Sequence, residues 1–188
     1  MITLYFSPGT SSFATHIALN EAGAKFEAKP VLLSKKEQQQ PAYLAINPEG
    51  KVPALGIDGR VLTEVAGTLY YIARKYPEAG LFPAGDIEAE AHVIAWMSFA
   101  AAALHPTRNL EPAAAQAVWA NAELRLGDKE WCIGKYSIAD IHVFRLFWRF
   151  NEQLGLDKAK FPKLHAHCER MMARPAVIMT LAAEKAIA

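Results

Sequence analysis

The first eighty residues switch repeatedly between strand-like and helix-like patterning. Residues 2–7 (ITLYFS) alternate loosely and predict a strand ended by Pro8-Gly9. Between Ser11 and Ala22, Phe13, Ile17 and Ala18 fall at helical spacing, and Gly23 stands where a helix-terminating glycine belongs. Phe26 to Leu33 returns to strand character, and the polar run Ser34 to Gln40 follows. Asn47-Pro48-Glu49-Gly50 carries turn chemistry, and Asp58-Gly59 between Val52–Ile57 and Arg60–Leu62 signals a hairpin. A helix runs from about Glu64 to Lys75 with Val65, Leu69 and Ile72 on one face. The predicted order is strand, helix, strand, irregular segment, hairpin, helix.

Beyond Tyr76-Pro77 the pattern becomes helical throughout, after a linker at residues 81–86. Ile87–His105 is apolar almost all round past His92, as expected of the central helix of a bundle. Pro112 and Pro162 open two further helices. Ser137-Ile138-Ala139-Asp140 opens another with the spacing of a capping box. Along that helix His142, Arg145, Arg149 and Glu152 form a narrow polar stripe, which implies that most of its circumference is buried. Arg174-Pro175 interrupts the last helix before a short tail. These textures divide the chain into residues 1–80, an α/β domain of thioredoxin-like order, and residues 87–188, an all-α helical bundle.

Composition narrows the functions. A length of 188 residues suits one large domain or two small ones, and the element order selects two. Lys and Arg number 20 against 19 Asp and Glu, a formal charge of +1 that offers no basic stripe for nucleic acid. The longest apolar stretch, Val93 to Leu104, has twelve residues, against about 20 for a membrane span, so no membrane is expected. MITLYFSPGT lacks the charged and apolar regions of an export leader. Cys132 and Cys168 are far apart and form no CxxC pair, which fits a reducing cytoplasm. No Walker A or GxGxxG pattern occurs, so a nucleotide cofactor is not expected. Two histidines spaced as His165-x-His167 on a helix point to different faces and do not suggest a shared metal.

Several stretches carry a family resemblance. LYFSPGTSSFATHIALNEAG, LAINPEGKVPAL and LTEVAGTLYYIARKYP in the first half, with WMSFAAAALHP, WCIGKYSIADI and FPKLHAHCERMMARPAV in the second, resemble the cytosolic glutathione transferases, closest to the bacterial beta class. The resemblance spans both domains in order, with a helical domain that is short between His105 and Ser137. It implies a transferase that adds the glutathione thiolate to a small hydrophobic electrophile, with glutathione as co-substrate, no further cofactor, and a homodimeric assembly.

The chemistry this implies is specific. A free thiol titrates near 8.5, and each unit of lowering requires about 1.36 kcal/mol of preferential thiolate stabilisation. A hydroxyl beside a helix N-terminus, where unpaired N–H groups and the helix dipole favour an anion, supplies it. Pro8-Gly9-Thr10-Ser11-Ser12 stands between the first strand and the first helix. From position alone these hydroxyls could equally cap the helix. With the resemblance, Ser11 ranks first as thiolate donor, Thr10 second and Ser12 third. Beta-class relatives commonly carry cysteine where this chain has Ser11, so mixed-disulfide chemistry is not expected. Tyr5 lies near the tyrosine used by other classes, although core or wall packing suits it as well.

The resemblance assigns further glutathione contacts. Val52-Pro53 matches the family's cis-proline, where the backbone of Val52 would pair with the cysteinyl part of glutathione as an added strand. Glu64 and Val65 match the turn that binds the γ-glutamyl end, with valine in place of a hydroxyl or glycine. Lys36 matches a basic residue that reaches the glycyl carboxylate. His105 matches a histidine lining the site near the sulfur, and Ser98, seven residues earlier, would share its helical face. Alone, Glu64 reads as first-turn helix charge, Lys36 as solvated surface, and His105 as a cap for the helix dipole. Two other classes compete with the transferase. A glutathione-dependent reductase would need a cysteine near position 10 or 11, and none is present. A non-catalytic glutathione- or ligand-binding protein of the same fold remains the alternative.

Overall fold

The computed structural model describes residues 1–187 and divides into two compact units, Met1–Ala79 together with the chain from Pro175 onward, and Gly80–Arg174. In the first unit the strands are β1 (Ile2–Phe6), β2 (Phe26–Pro30), β3 (Ala54–Ile57) and β4 (Arg60–Thr63). They form one sheet in the order β2-β1-β3-β4, with β1 parallel to β2 and antiparallel to β3, and β3 antiparallel to β4. The helices α1 (Ser12–Glu21), α2 (Pro41–Leu44) and α3 (Val65–Lys75) complete the predicted thioredoxin-like order. Asp58 and Gly59 both have positive φ, as a two-residue hairpin turn of the primed type requires.

Alternation along β1 decides the core. Ile2, Leu4 and Phe6 are buried, α1 packs on β1 and α3 packs on α1, and Phe13, Ile17, Leu69 and Ile72 of these helices are buried as well. Thr15 Oγ1 and Thr68 Oγ1 lie 2.7 Å apart between α1 and α3, which satisfies two buried hydroxyls. Tyr5 points to the opposite side of β1 and packs edge-on against Tyr43, beside Val52.

The second unit contains α4 (Ile87–Phe99), α5 (Pro112–Leu126), α6 (Ile138–Phe150) and α7 (Pro162–Met172). The capping box at α6 is realised. Ser137 Oγ accepts from the Ala139 N–H, while Asp140 Oδ2 accepts from the Ser137 N–H at 2.9 Å. Asp140 Oδ1 takes the Cys132 N–H at 2.7 Å and the His167 Nε2–H at 3.0 Å. Cys132, Asp140 and His167 thus hold three potential metal-binding atoms within 4.8 Å of one another. Since both carboxylate oxygens already accept hydrogen bonds, the cluster is a structural hub that ties α6 and α7 to the segment before the cap.

Three features differ from the sequence pattern. The chain after Arg174-Pro175 is not a short tail: it forms α8 (Pro175–Lys185), which packs on α1. It therefore belongs with the sheet-containing unit, whereas the pattern alone ran the helical half on to residue 188. The polar stripe on α6 is only partly polar surface, because His142 and Arg145 are both 2% exposed while Arg149 and Glu152 are open to solvent. Finally, α4 continues through a π segment at Ala100–Leu104 and a 3-10 turn at His105–Asn109. The helical run Ile87–Asn109 is thereby 23 residues long with mean hydropathy 1.2 over its most apolar window, enough by length and composition alone to cross a membrane. It packs on α6 inside a helical unit, and only 28% of that window is buried within the chain. Its exposed side carries Ala91, Ile94, Ala95, Ser98, Ala101 and Ala102 at helical spacing.

Candidate functional site

The register of the sheet brings most of the candidate residues to one end. Tyr5 pairs with Ala54, which pairs with Thr63, and Phe6 pairs with Pro30. The loop leaving β1, the chain leaving β2, the chain entering β3 and the chain leaving β4 consequently start at the same sheet end. Thr10, Ser11, Lys36, Val52, Pro53, Glu64 and Val65 are all on those segments. Ser98 and His105 belong to the helical unit.

The loop between β1 and α1 is fixed by the carbonyl that ends the strand. Ser7 O accepts from Thr10 Oγ1 at 2.8 Å, from the Ser12 hydroxyl at 3.1 Å and from the Thr10 N–H at 3.3 Å. Ser12 Oγ in turn accepts from the Ser7 N–H at 3.0 Å and lies 2.9 Å from Thr10 Oγ1. Two of the three candidate hydroxyls are thus committed to local structure, and Ser12 is fully buried. Ser11 is different. It occupies the N-cap position of α1 with helical dihedrals, its side chain makes no capping bond, and it is half-buried. Among the described residues its hydroxyl has no hydrogen-bond partner. The capping role that position alone allowed is therefore not taken up by Ser11.

A second support comes from α8, which no local pattern connects with this loop. Gly9, at φ 65°, donates its N–H to Glu184 Oε2 at 2.8 Å. The other oxygen of Glu184 accepts from His16 Nδ1 at 2.9 Å. Glu184 and His16 are 4% and 3% exposed, so the carboxylate is desolvated and its oxygens are matched by donors.

The chain entering β3 is fixed in a comparable way. Asn47 Nδ2 and the Tyr43 hydroxyl both donate to Lys51 O, at 2.8 and 2.6 Å. Burial pushes the Tyr43 hydroxyl up to about 12, so it stays a donor. The Asn47 turn was visible in the sequence, while the contribution of Tyr43 was not. Val52-Pro53 is cis, as the resemblance implied. Val52 is half-buried, and its backbone N–H and C=O have no partner among the described residues. An extended ligand backbone could therefore pair with it.

Glu64 precedes α3 with φ 65° and ψ 129°, a conformation that a non-glycine residue adopts only at a cost of order 1–3 kcal/mol. Its side chain is exposed, whereas Val65 is buried, so position 65 offers a backbone N–H rather than a side chain. Lys36 has a left-handed backbone between two 3-10 turns and is exposed.

In the helical unit His105 is half-buried and stacks on Phe150, with ring centroids 6.3 Å apart and an interplanar angle of 7°. Arg108 Nη1 donates to His105 Nε2. Burial first, then the Arg145 and Arg108 guanidinium charges, lower the His105 imidazole to about 4. It is neutral at pH 7 and cannot serve as a cationic cap for the helix dipole. Ser98 does not share its surroundings. The π segment between them breaks the i, i+7 alignment of an unbroken α-helix, and Ser98 lies on the exposed small-residue side of α4. A separate cleft of about 530 Å³ in this unit, lined by residues including His92, Trp96, Arg125 and Lys129, contains none of the candidate residues.

Comparison with known proteins agrees with this architecture. The profile of the glutathione S-transferase N-terminal domain matches residues 1–74, and that of the C-terminal domain matches residues 109–175. Glutathione S-transferase GstA of Escherichia coli O157:H7 is 31% identical, with 96% of this chain and 98% of the relative covered. A glutathione transferase homolog from Sulfitobacter, solved with bound glutathione, superposes with a TM-score of 0.90 at 30% identity over 100% of this chain and 99% of its own. The bacterial beta-class glutathione S-transferase of Sphingomonas chungbukensis gives 0.85 at 35% identity, with 97% and 98% covered. With profiles matching both units in order and near-full-length likeness to these relatives, the chain belongs to the glutathione S-transferase family.

Proposed function

We propose that this transferase activates the thiol of glutathione through Ser11 and adds it to a small electrophile. The observation that carries the assignment is the division of labour among three adjacent hydroxyls: Thr10 and Ser12 hold Ser7 O, and the Ser11 hydroxyl has no partner among the described residues. A Ser11 O–H donating to the sulfur, together with the N-terminal end of α1, favours thiolate over thiol. The thiol proton leaves to solvent. The sulfur lone pair then forms the C–S bond, and on an aryl halide the halide departs with the bonding pair. Thr10 becomes a positioning residue in this reading, and the reductase class has no cysteine to support it.

Glutathione recognition in this reading uses the backbone of Val52 before the cis bond, the N–H of Val65, the carboxylate of Glu64 and the ammonium of Lys36. Tyr5 acts as wall, through its packing with Tyr43 and Val52. His105, neutral at pH 7, polarises or orients without adding charge. The exposed small and apolar side of α4 supports a homodimer, since a chain in water gains by covering such a stripe. The free thiols Cys132 and Cys168, raised by burial, in the case of Cys168 to about 11, suit a reducing compartment such as the cytoplasm.

The test is retention on immobilised glutathione followed by conjugation of 1-chloro-2,4-dinitrobenzene. Both are expected. Retention without turnover would favour the ligand-binding alternative, and absence of retention would remove glutathione recognition.

A further inference from the structure

The helical unit contains a buried guanidinium that pairs with no carboxylate among the described residues. Arg145 on α6 is 2% exposed, and its Nε and Nη2 are sealed from solvent without a hydrogen-bond partner. One turn earlier on the same helix, His142 is equally buried and both of its ring nitrogens lack partners. Arg108, on the 3-10 turn after α4, contributes a second guanidinium and donates to His105. Among the described residues no carboxylate pairs with Arg145 or Arg108. The charged neighbours that act on the two histidines and on Arg145 are all basic. Burying an unpaired guanidinium is costly, and buried charges in folded proteins are almost always paired. Removing a partner from such a pair destabilises strongly, so an arginine left in this state marks a place where the partner comes from outside the chain.

The chemistry of the partner follows from the donors. A guanidinium fork and a second arginine match a carboxylate better than a spherical ion, because two parallel N–H donors meet two oxygens. The flat stack of His105 on Phe150 next to these charges suits an aromatic body attached to that carboxylate. We infer that the helical unit binds an aromatic carboxylate, with Arg145 and Arg108 holding the anion and His105 and Phe150 flanking the ring.

The experiment is calorimetric titration of the full chain with 4-nitrobenzoate and, as the uncharged counterpart, 4-nitrobenzamide. The wild type should bind the carboxylate at least about tenfold more tightly, and Arg145→Met should bring the two affinities to within about twofold of each other. The melting temperature of Arg145→Met without ligand should not fall, because the substitution removes an unpaired buried charge; a large fall would make Arg145 a structural residue and overturn the inference. Arg108→Met, at an exposed position, keeps the test open if the first variant does not fold, and should reduce the preference about threefold. Equal binding of acid and amide by the wild type overturns the proposal, as does a preference that survives both substitutions. Competition by glutathione for the nitrobenzoate would assign the cations to a glutathione carboxylate and overturn it too. Conjugation of the neutral 1-chloro-2,4-dinitrobenzene by the wild type separates the two readings. Turnover without a carboxylate preference defeats the anion site alone, whereas a preference without turnover defeats the transferase reading alone.

Discussion

Glu184, near the end of the chain, accepts a hydrogen bond at 2.8 Å from the backbone N–H of Gly9, 175 positions earlier. The same carboxylate holds His16 on α1. The loop that presents Ser11 is thus held at both ends, by Ser7 O from the strand and by α8 from the C-terminal side. Glu184→Ala should leave the buried His16 and the half-buried Gly9 N–H unmatched and cost about 3 kcal/mol, read by chemical denaturation. Glu184→Gln, which keeps one acceptor, should cost less. The same variants should weaken glutathione affinity, while a stability loss with unchanged affinity would confine α8 to a structural role.

The three hydroxyls should separate stability from activity. Ser12→Ala removes a buried group that bonds both the Ser7 N–H and Ser7 O, and is expected to cost about 1–3 kcal/mol. Ser11→Ala breaks no intramolecular bond and should stay within about 0.5 kcal/mol of the wild type. Paired denaturation curves and turnover measurements check this. Ser12→Ala should be the less stable of the two variants and Ser11→Ala the less active.

Stability should fall in acid because of the helical unit. His105 is lowered from its ordinary 6.5 to about 4, and His142 is pushed well below 6.5 by complete burial, by Arg145 and by His105. In the unfolded chain both imidazoles bind protons at higher pH than in the folded one, so stability rises with pH across this window. It is fully present above about 6.5 and is lost progressively as pH falls toward 4. His142→Phe should flatten that acid limb without lowering stability at pH 7, because neither ring nitrogen has a partner to lose. Denaturation midpoints between pH 4 and 7.5 in the two proteins give the comparison, at about half-unit steps.

Self-association should depend on the open side of α4. Ile94→Glu adds a charge to the stripe formed with Ala91, Ala95, Ser98, Ala101 and Ala102, at a position 49% exposed in the chain. Light scattering after size exclusion should show a dimer for the wild type and at least about tenfold weaker association for the variant. A monomeric wild type would remove the homodimer from the account.

Features written in local sequence were legible, and those that depend on distant partners were not. The β1–α1–β2 order, the Asp58-Gly59 hairpin and the Ser137–Asp140 capping box each follow from residues within a few positions of one another. The chemistry at Ser11 was legible as a position and open as an assignment, because three hydroxyls in a row look alike until Ser7 O claims two of them. Glu184 and Tyr43 had no local signal: each acts through packing that joins distant segments. His142 and Arg145 read as a polar stripe because helical periodicity reports a face, not what covers it. Ser98 and His105 were paired by 3.6-residue arithmetic, which fails where the helix widens into a π segment at Ala100–Leu104.

The apparent pKa of the bound glutathione thiol, followed by thiolate absorbance in the enzyme complex, tests the role of Ser11 most directly. A charge-assisted hydrogen bond of about 1.5–3 kcal/mol corresponds to a rise of roughly one to two units when it is removed. Ser11→Ala should show that rise, and Thr10→Val a smaller one, since Thr10 acts through the loop. An unchanged value in Ser11→Ala, or the full rise appearing in Thr10→Val instead, would contradict the assignment.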